Sequence, residues 1–119
     1  MNDQVDEILI VDDTPANLKL LSQILSNEGY KIRVALNGSQ ALTSVDLAQP
    51  DLILLDIKMP DMNGFEVCRQ LKANSKTSQI PVIFISALND LQDKLQGFHV
   101  GGLDYISKPF QIEEVLARV

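Results

Sequence analysis

Ile8-Leu9-Ile10-Val11-Asp12-Asp13-Thr14-Pro15 is the stretch from which the fold can be read. Four aliphatic residues in succession stop abruptly at two acids, and a Thr-Pro pair follows. A run this short that is apolar throughout, with no alternation, is what a strand covered on both faces requires. Thr14 can cap a helix with Pro15 in its first turn, where a missing N–H costs nothing. Leu18, Leu21 and Leu25 then recur at helical spacing, with Leu20 and Ile24 widening the stripe. Gly29 can end that helix in a left-handed cap.

The same alternation continues outward along the chain. Ile32–Ala35, Leu52–Leu55, Val82–Ile85 and the shorter Tyr105-Ile106 read as further strands. Asn37 opens a second helix with Ala41, Leu42 and Val45 inward, and Pro50 closes its exit. Asn63 caps a third, with Glu66 three residues on in a capping-box pattern and Phe65, Cys68 and Leu71 on the inner face. A polar loop, Asn74–Gln79, follows. Asn89 or Asp90 opens a fourth helix, with Leu91, Leu95 and Phe98 on one face and Gly101-Gly102 at its end. Gln111 begins a fifth, which reaches Val119 after about two turns and so reads as truncated, as in a piece of a longer protein. Met1–Glu7 reads as a short, flexible polar lead, leaving residues 8–119 as one domain.

Strand and helix thus alternate five times. That order gives the α/β class, a doubly wound parallel sheet with helices on both faces and right-handed crossovers. Sheets of this size commonly take the strand order 2-1-3-4-5, which makes the first and third strands neighbours at the switch point where ligands bind.

Composition removes whole classes of function. Sixteen acidic residues against 10 basic give a net charge of −6, the wrong sign for broad nucleic-acid binding. Aromatics make up 5 % and Trp is absent, so stacking platforms for flat cofactors or single-stranded bases lack material. Cys68 is the only cysteine; no intrachain disulfide is possible, and a cytoplasmic setting with no membrane association is the expectation.

The polar residues fall at strand ends. Asp12 and Asp13 follow the first strand, Asp56 ends the third, Ser86 ends the fourth and Lys108 follows the fifth. In the order 2-1-3-4-5, Asp12 and Asp56 meet although 44 positions separate them. Two carboxylates about 4 Å apart repel by roughly 4 kcal/mol at an effective dielectric near 20. Either a carboxyl is neutralised or a divalent cation sits among them; all-oxygen ligands with room for water suit Mg²⁺. Lys108 adds a positive charge, and a dication, a lysine and a hydroxyl together suit a phosphoryl group. Each residue alone has a plainer reading: the acidic pair as a solvated helix cap, Ser86 as a capping hydroxyl, Lys108 as a surface lysine, Tyr105 as a core or edge aromatic, Cys68 as helix packing.

Taken together and in order, Ile8-Leu-Ile-Val-Asp-Asp13, Leu54-Leu-Asp-Ile-Lys-Met-Pro-Asp-Met-Asn-Gly64, Ser86-Ala87 and Tyr105-Ile-Ser-Lys-Pro-Phe110 resemble the response-regulator receiver domain of two-component signalling, from about residue 8 onward. The resemblance implies a flavodoxin-like fold and a phosphorylation-dependent switch rather than a turnover enzyme. It implies that Asp56 is the phosphoacceptor. Asp13 would bind Mg²⁺ directly, Asp12 partly through water, and the Lys58 backbone carbonyl would complete the ligands. It makes Ser86 and Tyr105 the switch pair and Lys108 the cation that pairs with the acceptor and then with phosphoryl oxygens, followed by Pro109 in a cis bond. It further implies a histidine kinase or phosphotransfer protein as donor, an output domain or partner protein downstream, and possible homodimerisation through the fourth helix, fifth strand and fifth helix. Slow autodephosphorylation would reset the switch, tuned by Lys58 and Leu88. His99 reads as a surface residue with no donor role.

Two rivals stand beside this reading. An aspartyl-phosphate phosphatase of the haloacid dehalogenase type needs a second Asp two residues after its nucleophile, and that position is Lys58. A phosphorylation-independent docking module on the same fold usually lacks an acid or the lysine, and here all are present. Flavin binding lacks its phosphate loop and its aromatics.

Overall fold

In the computed structural model, the described residues are 7–86 together with the backbone of 104–107. Among these residues lie eight elements: β1 (Glu7–Val11), α1 (Pro15–Ser26), β2 (Lys31–Ala35), α2 (Gly38–Leu47), β3 (Leu52–Asp56), α3 (Gly64–Ala73), β4 (Val82–Ser86) and β5 (Asp104–Ser107). The strands form one sheet in the order β2-β1-β3-β4-β5. Every pairing is parallel, with Ile8 against Leu52, Ile53 against Val82, and Ser86 against Ser107. The expected order is therefore the observed one. The fourth and fifth helices, Met1–Asp6, Ala87, Leu88, His99, Lys108 and Pro109 lie outside the described residues, as do the side chains of Ser86 and Tyr105. Among the described residues no helix is long and apolar enough to cross a membrane.

Period-two alternation divides the strand side chains between two cores. Leu9, Val11, Ile53, Leu55, Val82 and Phe84 face α2 and α3, where they join Ala41, Val45, Phe65, Val67, Cys68 and Leu71. Ile8, Ile10, Leu52, Leu54, Ile83 and Ile85 face α1, where they meet Leu18, Leu21, Ile24 and Leu25. Phe65 and Phe84 pack edge to face with centroids 5.2 Å apart. β3 is buried along its whole length. β2, at the sheet edge, leaves Val34 52 % exposed.

Three local expectations need correction. Leu20 does not widen the α1 stripe; it is 42 % exposed, because Ile24 and Leu25 already fill the strip over the sheet. Thr14 occupies the N-cap of α1 but its side chain makes no capping bond. Asp12 instead holds the residue before the helix, its Oδ1 accepting the Thr14 N–H at 2.9 Å. At α3, Asn63 Oδ1 accepts the Glu66 N–H at 3.0 Å, but Glu66 turns along the helix to Arg69 and Gln70, so the box has one of its two bonds. Gly29 behaves as expected: at φ +95° it lets its own N–H reach Ser26 O and the Tyr30 N–H reach Leu25 O, a Schellman stop.

Candidate metal and phosphoacceptor site

Two neighbouring strands, β1 and β3, end at the same edge of the sheet. Their registers pair Val11 with Leu55, so the next residues, Asp12 and Asp56, emerge side by side. Asp12 extends the sheet by one bond, its N–H donating to Ala35 O at 3.1 Å. It is fully buried, Asp56 is 3 % exposed, and Asp13 is exposed. Carboxylate oxygens from the three, one from each, lie within 4.8 Å of one another.

That spacing suits a small hard cation. Two oxygens on one Mg²⁺, each at about 2.1 Å, sit no more than about 4.2 Å apart. The observed ceiling leaves a small closing movement or one intervening water. Asp12 is already oriented: Oδ1 accepts from Thr14 N–H, and Oδ2 accepts from Asn17 Nδ2 at 3.3 Å. Both oxygens of Asp12 are thus engaged at the entry to α1, whereas Asp13 is exposed. The donor set is all oxygen, with no His or Cys, which favours Mg²⁺ over zinc or copper.

The segment after Asp56 is built around glycine. Gly64 opens α3 with its N–H donating to Ile57 O at 2.7 Å. A Cβ built there would stand 2.3 Å from the Asp56 carbonyl oxygen and 3.0 Å from Ile57 Cα. Only a residue without a side chain lets the helix start this close behind the strand end. Ile57 N–H donates to Ile85 O at 3.1 Å, so the backbone just past Asp56 is fixed from β4 as well. Lys58 is exposed on the loop, and Met59 is buried beneath it. Ser86 ends β4, and Tyr105 lies in β5 opposite Phe84. Of the predicted residues, the structure thus brings Asp12, Asp13 and Asp56 together and sets Lys58 two residues from Asp56.

Sequence reasoning missed two contributors. Asn17 carries no strand-end signal; only its place in the first turn of α1, five residues after Asp12, hints that it can reach back. Asp61 carries no sequence sign of a distant partner, but its carboxylate takes Gly38 N–H at 3.1 Å and Ser39 N–H and Oγ–H at 3.0 Å each, at the start of α2. The Ser39 N–H above all, with help from Gly38, the Ser39 hydroxyl and Met62 N–H and against some desolvation, holds Asp61 below the usual carboxylate range.

Known proteins resemble this chain along nearly its full length. The DNA-binding dual master transcriptional regulator RpaA of Synechocystis is 46 % identical over 112 residues, which cover 94 % of this chain and 46 % of that protein. The response regulator PleD of Caulobacter vibrioides is 44 % identical over 112 residues, 94 % of this chain and 25 % of that protein. The chain spans about half or less of these relatives. Among solved structures, the chemotaxis protein CheY4 of Vibrio cholerae superposes with a TM-score of 0.91 at 29 % identity, covering 97 % of this chain and 96 % of that one. With residues 8–119 also matching the model of the response regulator receiver domain, the chain belongs to the receiver-domain family of two-component response regulators.

Proposed function

We propose that Asp56 accepts the phosphoryl group, in a seat for Mg²⁺ formed by Asp13 and Asp56 directly, Asp12 partly through water, and the Lys58 carbonyl. The observation that carries this reading is the meeting of three carboxylates from two adjoining strand ends within 4.8 Å. Such a cluster is repulsive on its own and becomes favourable around a dication. Mg²⁺ supplies charge neutralisation for the equatorial phosphoryl oxygens.

Transfer needs alignment more than covalent chemistry. A carboxylate oxygen of Asp56 attacks phosphorus; the bond from phosphorus to the donor histidine breaks, its electron pair returning to the imidazole. Burial of Asp56 and the fixed backbone behind it hold the attacking oxygen in line. Lys108 pairs with the new phosphoryl oxygens, Ser86 turns toward them and Tyr105 swings inward, shifting the population to the active state. Hydrolysis within the same site resets it, at a rate tuned by Lys58 and Leu88. The donor is a phosphohistidine on a kinase or phosphotransfer protein. The output is a further domain of the same polypeptide or a separate partner, with homodimerisation through the fourth helix, fifth strand and fifth helix as one route, in a cytoplasmic setting. Residues 8–119 are the functional unit, with 1–7 as a lead whose last residue, Glu7, opens β1.

Treatment with acetyl phosphate and Mg²⁺ followed by intact-mass spectrometry tests the assignment. A gain of one phosphoryl group, lost in Asp56→Asn and lost with a chelator, is expected. No gain, or a gain that survives Asp56→Asn, would move the chain to the docking-module reading.

A further inference from the structure

The loop between Asp56 and α3 is held at three places. At its start Ile57 bonds to β4, and at its end Gly64 N–H bonds back to Ile57 O. Between them, Asp61 reaches sideways to α2 and accepts from Gly38 and Ser39. The adjacent Met62 packs closely against the same helix start; a Cβ on Gly38 would be 3.0 Å from Met62 Cβ. Asp61 is not needed merely to begin α2, because Asn37 Oδ1 already caps it by accepting the Gln40 N–H at 2.9 Å. Asp61 satisfies two further N–H groups of that helix start and thereby joins two separate connections of the fold.

We propose that Asp61 is a positioning residue for the metal seat: its strap to Gly38 and Ser39 fixes the loop that presents the Lys58 carbonyl. The inference rests on the seat described under the proposed function. Lys58 lies three positions before Asp61, with Met59 buried between them. A carbonyl ligand turns with the backbone dihedrals on either side of it, and Mg²⁺ demands near-ideal octahedral geometry at short distance. Ile57, Gly64 and buried Met59 already restrain the loop; the strap at Asp61 adds a hydrogen-bonded pin to the backbone beyond Lys58 and narrows the remaining swing of its carbonyl. The strap therefore acts on metal affinity through Lys58, as outer contacts of ligands do at other metal sites.

Electron paramagnetic resonance with Mn²⁺ as the probe tests this on the full chain, alongside thermal melts without metal. Wild type should take up one Mn²⁺. Asp61→Ala should weaken that affinity about tenfold, and Asp61→Asn should recover part of it, because one amide oxygen can still accept. Arg33→Met is the stability control. Arg33 donates to Ser44 O and Ala48 O at the far end of α2, so its loss should lower the melting temperature without changing Mn²⁺ affinity. Asp61→Ala within about twofold of wild type, or Arg33→Met weakening Mn²⁺ as much as Asp61→Ala, would overturn the proposal. Wild type that binds no Mn²⁺, or Asp56→Asn that binds it equally well, would remove the seat itself and the proposal with it, a result distinct from a silent Asp61→Ala.

Discussion

Gly64→Ala tests how tightly the end of β3 is held. The added Cβ would lie 2.3 Å from the Asp56 carbonyl oxygen, 3.0 Å from Ile57 Cα and 3.1 Å from the Asp56 carbonyl carbon. All three are backbone atoms, so no rotamer change relieves them. A relaxed carbon-to-oxygen contact is about 3.3 Å, and roughly 1 Å must be opened between the start of α3 and the end of β3. Overpacking of this kind costs about 1–3 kcal/mol. Stretching the 2.7 Å bond from Gly64 N–H to Ile57 O adds about 0.5–1.5 kcal/mol. Against this, Ala is favoured over Gly in a helix by about 0.5–1 kcal/mol, a gain available because φ at Gly64 is not positive. The net is a loss of about 2–3 kcal/mol, roughly 10 °C in melting temperature for a chain this size. A 1 Å displacement at a reacting group can also lower its rate by about a hundredfold. Urea unfolding followed by circular dichroism gives the first number, and acetyl phosphate labelling at a temperature where both proteins are folded gives the second. Gly29→Ala is the contrast: nothing lies within 4 Å of a Cβ there, so only the left-handed backbone at φ +95° is strained, at about 1–2 kcal/mol, and labelling should be unchanged. A Gly64→Ala protein as stable as wild type and labelled as fast would refute the reasoning.

Arg33→Met should cost about 1–2 kcal/mol in urea unfolding, since Arg33 bonds to Ser44, Ala48 and Glu7 at once while partly exposed; an unchanged midpoint would show that these bonds contribute nothing. Mg²⁺ at a hundredfold excess over its dissociation constant should stabilise the protein by about 2.7 kcal/mol, and a thermal shift that persists in Asp13→Asn would argue against Asp13 as a direct ligand. Asp61, whose folded value lies below the ordinary 3.8, should contribute stability above about pH 4 and lose it as pH falls through the folded value, because the unfolded chain takes up the proton first. The stability gap between wild type and Asp61→Asn should therefore shrink on acidification; a gap independent of pH would contradict the charge-assisted strap.

Much of this could be read from the residues because buried parallel strands carry an unmixed signal. Ile8–Val11 and Leu52–Leu55 have no polar position to confuse the period, and each ends on an acid. The strand order common to such sheets then made the first and third strands neighbours. Less legible was anything decided by a side chain choosing among partners. Thr14 and Asp12 both suit the start of α1, yet the Thr14 side chain makes no capping bond and Asp12 takes the Thr14 N–H. Leu20 satisfies the helical spacing as well as Ile24 does, and only the width of the covering sheet separates them. Asp61 looked local because hydrogen bonds across 22 or 23 positions leave no periodic trace.

β3 has a hydrogen-bonded neighbour on each side and a helix layer over each face. Its amides should therefore be among the last to exchange with deuterated solvent, opening only when the molecule unfolds globally. On the proposed reading the acceptor is mounted on the element expected to open last, so a signal written at Asp56 would have to leave through softer parts of the chain. Exchange measured with and without a phosphoryl mimic would trace that exit, with the amides of Leu52–Asp56 as the unmoving reference.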